Sequence, residues 1–184
     1  MGVVVALQAG DELGLGPTAR GALLAGFGAA GVVAGQPAGR AADRYGAVPV
    51  TLAGALPCCL LLPLLGLASS TAALATVWIL VGVCSALIWA GLNTLMAGAA
   101  PANRGGAISL VGAFKFGGNA LAPLIWLPIY AAEPLLAFAG AGATAALIAL
   151  ATLRAAAAQP AQGPVETGPP TSESARATTG FGTP

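Results

Sequence analysis

The sequence predicts an all-α protein, a polytopic bundle of membrane helices. Three observations point there. Only 7% of the 184 residues are charged and 57% are hydrophobic. A soluble domain runs at about 25% charged, so seven basic and six acidic side chains cannot coat a water-facing surface of this size. The apolar residues gather into runs of the length a spanning helix needs, about 20 residues. The charges fall mostly between those runs.

The first apolar piece, Met1–Ala9, is too short to cross, and it reads as the end of a helix whose beginning is absent. It does not read as a signal peptide, because no basic residue precedes it. Five longer stretches follow: Gly21–Ala38, Val48–Ala68, Ala72–Gly98, Ala107–Pro128 and Leu135–Leu153. Residues 1–154 are therefore expected to form one transmembrane bundle. From Ala155 the chain turns rich in Pro, Gly, Ser and Thr with little to bury, and residues 155–184 are expected to be a disordered tail.

The connections alternate in charge. Asp11 and Glu12 lie in the first and Glu133 in the fifth, whereas Arg40 and Arg44 lie in the second, Arg104 in the fourth and Arg154 after the last span. Basic residues collect on the cytoplasmic side, so the Arg-bearing turns and the C-terminus are expected in the cytoplasm of a multi-pass protein of the cell membrane. Arg20, at the acidic end, is the exception.

Composition also excludes. The chain lacks histidine, the commonest metal ligand and general base. Cys58, Cys59 and Cys84 have no metal or redox spacing and read as packing residues. No metal or cofactor is expected, and no nucleophile and base converge, so the chain does not read as an enzyme. A net charge of +1 gives no basis for nucleic-acid binding. "GFGAAG" (Gly26, Gly28, Gly31) matches the dinucleotide pattern G-x-G-x-x-G, with Asp43 at a plausible distance. It sits inside a continuous apolar run with no strand before it, so the context is wrong. Gly31, Gly35 and Gly39, four apart, instead suit close approach of another helix. Pro57, Pro63, Pro123 and Pro128 suit helices that bend, which membrane helices tolerate.

Two features carry chemistry. The charged island "GRAADRYG", Gly39–Gly46, puts Arg40, Asp43 and Arg44 at a cytoplasmic turn framed by glycines. A carboxylate there can face a helix N-terminus, and the glycines allow a tight turn. Lys115 lies about 12 Å inside its span at 1.5 Å per residue, near the middle of a hydrocarbon core. A lysine at that depth costs at least about 2.5–3.5 kcal/mol, so such residues usually face a cavity and act there. Lys115 is expected to bind an anionic substrate group or to exchange a proton during transport. Asn119, one turn on, shares its face, and Asn93, Gln36 and Trp89 are candidates to line the same cavity from other helices.

"GRAADRYGAVPV" resembles the loop signature of the major facilitator superfamily, G-x-L-A-D-R-x-G-R-K. Gly39, Ala42, Asp43, Arg44 and Gly46 match, Ala41 stands for the leucine, and Ala47 and Val48 for the two trailing basic residues. "LGLGPTARGALLAG" is similar to the family's first outer loop. "PANRGGAISLVGAFKFGGNALAPLI" is similar to the fifth helix of a half, with Gly112, Gly117, Gly118 and Pro123 fitting and Ala122 where exporters carry glycine. The resemblance implies the C-terminal six-helix half of such a fold with a truncated first helix, of the kind found in bacterial drug or siderophore exporters. It further implies secondary transport of a small molecule, bound at the bilayer midplane, moved by alternating access and directed outward, with Gly39, Asp43, Arg44 and Gly46 setting the conformational equilibrium. A missing N-terminal half, or a second copy, would complete the cavity. The rival is a non-transporting membrane scaffold or assembly subunit.

Overall fold

The computed structural model describes residues 1–158, and among these no strand occurs. Six helices follow one another: α1 (Gly2–Asp11), α2 (Pro17–Tyr45), α3 (Ala47–Gly66), α4 (Thr71–Ala99), α5 (Arg104–Ala132) and α6 (Pro134–Ala158), with one 3-10 turn, Pro101–Asn103, before α5. Five of them, α2 to α6, are long and apolar enough to cross a membrane, and α1 is shorter. Each apolar run lies within or nearly within one helix. The helix ends are local chemistry. Pro17 opens α2, where a missing N–H costs nothing. Ser70 caps α4 by accepting from the Ala73 N–H at 3.3 Å, and Asn103 caps α5 by accepting from Gly106 at 3.1 Å.

Two boundaries differ from the sequence reading. α6 continues to Ala158, so residues 155–158 are helical rather than tail; the rest of the expected tail lies outside the described residues. The island Gly39–Gly46 is not a loop. Residues Gly39–Tyr45 form the last turns of α2, and Gly46 alone separates α2 from α3. At 29 residues, α2 is about 43 Å long at 1.5 Å per residue. It therefore outruns a core of about 30 Å, which leaves its charged last turns beyond the hydrocarbon.

α4 is the central helix, packed along both α2 and α3, and α6 covers the other side of α3. Glycines make these approaches possible. Gly54 of α3 lies against the Cys84 carbonyl, Gly91 of α4 against Ala47 and Thr51, and Gly82 of α4 against the Phe27 carbonyl. Gly142 of α6 lies against the Pro63 ring and the Cys59 carbonyl, the oxygen that Pro63 deprives of its helical donor. The core between them is apolar, with Leu62, Leu65, Leu74, Trp78 and Phe138 buried. Phe27 stacks on Trp78 with ring centroids 4.6 Å apart. Cys58 and Cys84 are buried here as free thiols.

The order of these contacts gives the relative directions of α2, α3, α4 and α6. Gly54 meets Cys84 and Ile88, while Gly91 meets Ala47 and Thr51, so α3 and α4 run antiparallel. Gly26 meets Ile79 and Gly82 meets Phe27 and Ala30, so α2 and α4 run parallel. Gly66 meets Phe138 and Gly142 meets Cys59 and Pro63, so α3 and α6 run antiparallel. Arg40, Arg44, Arg104 and Arg154 consequently share one end of the bundle. Asp11, Glu12 and Glu133 share the other, where Gln8, Glu12, Ser69 and Pro134 line one cavity of about 330 Å³. Arg20 is at this acidic end because it ties the first turn together. Its Nε donates to the Leu15 carbonyl at 2.6 Å and its guanidinium covers Gly10. α1 is fixed beside that turn by Gln8, whose Nε2 donates to the Leu65 carbonyl at 2.6 Å.

Candidate functional site

On α4, Gly82, Ser85, Ala86, Trp89, Ala90 and Asn93 recur at spacings of three and one, which is one face of a helix. On α2, Phe27, Gly28, Gly31, Val32 and Gly35 do the same. The two parallel faces meet at Gly82 and then part, opening a cavity of about 440 Å³ that Lys115 of α5 closes from the side. That volume is within the range of small-molecule sites. Its walls are mainly apolar and small, with Ser85, Trp89, Asn93 and Lys115 as the polar features.

Gly31, Gly35 and Gly39 were expected to admit a neighbouring helix. Instead, open space surrounds each of them among the described residues. The glycines that do bring backbones together are Gly54, Gly82, Gly91 and Gly142, whereas Gly28, Gly31, Gly35 and Gly39 on α2 leave room. The absence of side chains at Gly28, Gly31 and Gly35 gives the cavity its width.

Lys115 stands 11 residues into α5, about 17 Å at 1.5 Å per residue, within one turn of the helix midpoint. Its Nζ lies 4.7 Å from the centre of the Trp89 ring. A cation over an indole face gains about 0.5–2 kcal/mol, less than the roughly 2.5–3.5 kcal/mol that a lysine costs at mid-membrane. The ring therefore offsets part of the cost, and the open cavity supplies the remainder by keeping the ammonium within reach of water or of an anion.

Of the five residues expected in the cavity, Trp89, Asn93 and Lys115 line it. Asn119 and Gln36 do not. Asn119 is one turn beyond Lys115 and Gln36 one residue past Gly35, where the wall has ended. Sequence reasoning missed Ser85. Its signal was present: Ser85, Trp89 and Asn93 are polar or amphipathic residues four apart on an otherwise apolar span.

The island is an uncapped helix junction. α3 starts with no side-chain cap, so Asp43 does not cap it. Asp43 and Arg44 are exposed, and the Arg44 guanidinium lies 5.3 Å from the Tyr45 ring centre. Gly46 has φ +93°, a conformation open to glycine and strained for any other residue. Gly39, the other framing glycine, is an ordinary helical residue of α2.

The outer faces of α2 and α5 are the least covered. The most apolar 18-residue window of α5 buries none of its residues and that of α2 about a tenth. Val32, Val33, Phe114, Phe116 and Leu124 are exposed, which suits lipid or a second helical body rather than water.

Comparison with curated proteins and with solved structures found no match. The family model described as Major Facilitator Superfamily matches residues 1–180, nearly the whole chain and every helix described above. With five helices of spanning length alternating in direction, this is a multi-pass membrane protein, and it belongs to the Major Facilitator Superfamily, whose members carry small molecules across membranes.

Proposed function

We propose that the chain is one half of a secondary active transporter that moves its substrate outward by alternating access, and that the cavity between α2, α4 and α5 is its share of the substrate site. The observation that carries this reading is the convergence of Lys115, Trp89, Asn93 and Ser85 on one mid-span cavity. An isolated structural lysine has no need of a shaped space around it. Inverted or paired repeats with a midplane site between them are the common plan of secondary transporters. The uncovered faces of α2 and α5 are assigned to a second half-bundle or a second copy, which completes the cavity. Gly39, Asp43, Arg44 and Gly46 form the latch at the basic end, where α2 turns into α3. We place that end, with the C-terminus, in the cytoplasm of the cell membrane, because four arginines lie there. The outward direction rests on the overall likeness of the chain to bacterial drug and siderophore exporters.

The test is accessibility. In a background with Cys58, Cys59 and Cys84 replaced by alanine, cysteine at Ser85 or Asn93 is probed with an impermeant thiol reagent in right-side-out and inside-out vesicles. Reaction from either side, with Asp43→Asn changing the ratio of the two rates, is the expected result. Reaction from neither side refutes the reading. So does outward flux of a drug or siderophore by the purified chain held as a monomer, since half a cavity is then a whole one.

A further inference from the structure

We propose that the cavity between α2, α4 and α5 takes an organic anion, with Lys115 as the group that receives its charge and the glycine-lined wall of α2 as the surface that receives its apolar body. This deepens the transporter reading and rests on it, since it names the substrate class of the same cavity. Among the described residues, Lys115 is the only ionisable one lining the cavity. The acids at Asp11, Glu12 and Glu133 are at one end of the bundle and Asp43 is at the other, so none is placed to pair with a lysine at mid-span. The Trp89 ring contacts one side of the ammonium. An ammonium carries three donors, and the ring leaves donors for a ligand. The Ser85 hydroxyl and the Asn93 amide, on the same face of α4, add neutral donors that an anionic oxygen accepts from. The remainder of the wall is Phe27, Val32, alanine and glycine, which offers contact to hydrocarbon and nothing to a second charge. A carboxylate, sulfonate or phosphate monoester on an apolar body fits both parts. A cation meets a like charge, and a sugar meets too few polar partners.

Trp89 reports on the site directly. Trp78 is 3% exposed and is shielded from quenchers, so Trp126→Phe leaves Trp89 as the accessible indole. The full chain with that substitution is placed in phosphatidylcholine nanodiscs and titrated with iodide, with gluconate holding the ionic strength, and separately with neutral acrylamide. Iodide is expected to quench at least threefold less in Lys115→Gln and as before in Lys115→Arg, with acrylamide unchanged throughout. Trp89→Phe is expected to remove the quenchable signal. Cyclohexanecarboxylate is expected to protect against iodide, and cyclohexylmethanol, of the same shape without charge, is not. If the anion is a lipid headgroup, protection comes instead from phosphatidylglycerol in the disc, beyond the surface-charge effect measured in Lys115→Gln.

Iodide quenching that ignores Lys115→Gln overturns the proposal, because the lysine is then neutralised by an acid from another body. Failure of acrylamide to reach Trp89 also overturns it, because the cavity is then closed. Quenching is an equilibrium readout. Anion preference without two-sided thiol access therefore removes only the transport reading, and two-sided access without anion preference removes only this inference.

Discussion

Lys115 and Trp89 face each other across the α4–α5 contact, the ammonium 4.7 Å from the ring centre. This pair joins the most costly charge in the bundle to the largest side chain lining the cavity.

Removing the charge separates function from stability. In the assembly with its second half or second copy, Lys115→Gln is expected to lower flux of an accepted substrate at least about tenfold, the effect of losing roughly 1.4 kcal/mol of interaction. Thermal unfolding in detergent is expected to be unchanged or higher, because a mid-span cation is costly to keep. A matching loss of thermal stability makes the lysine structural.

Glycines on α3 and α2 are expected to respond in opposite ways. A methyl at Gly54 meets the Cys84 carbonyl and Ile88, and Gly54→Ala is expected to cost about 1–3 kcal/mol through overpacking. Gly28 has open space. Gly28→Ala is expected to be neutral or to gain up to about 1 kcal/mol from helix propensity. Equilibrium unfolding in mixed micelles compares the two.

Gly46→Ala forces a side chain into φ +93°, at a cost of about 1–3 kcal/mol. The expected outcome is a lower unfolding midpoint together with a changed ratio of inward to outward thiol access at Asn93. A change in the midpoint alone makes the junction a turn without a switching role.

Topology gives a further check. Single cysteines at Asp11 and Glu133 are expected to react with an impermeant reagent on one face of the membrane, and those at Asp43 and Arg104 on the other. Labelling of Asp11 and Asp43 from one face contradicts the alternation of helix directions.

Much of the bundle was legible in the sequence because a membrane imposes its thickness on the chain. Each run of about 20 apolar residues became one helix, and the alternating charges marked its ends. Lys115, Trp89 and Asn93 were legible as cavity-lining residues because polarity at depth is costly. What escaped was anything set by which helices touch. Gly54 and Gly91 have no sequence mark that separates them from Gly28 and Gly31, yet the former admit a neighbour and the latter leave a void. The island was read as a loop because charge usually signals an exit from the helix. Here α2 leaves the hydrocarbon while still helical, and only Gly46, with its positive φ, breaks it. Gln36 and Asn119 were placed by polarity alone, and the wall of the cavity stops short of both.

The junction at Gly46 has a mechanical consequence. With consecutive Cα atoms about 3.8 Å apart, one intervening residue gives roughly 7 Å of tether between two rods, too little slack for either to turn independently. Tilting α2 must therefore drag the foot of α3, and α3 is clamped on both flanks by α4 and α6. A motion begun beside the cavity is thus handed across the whole bundle as leverage, with the glycine as its elbow.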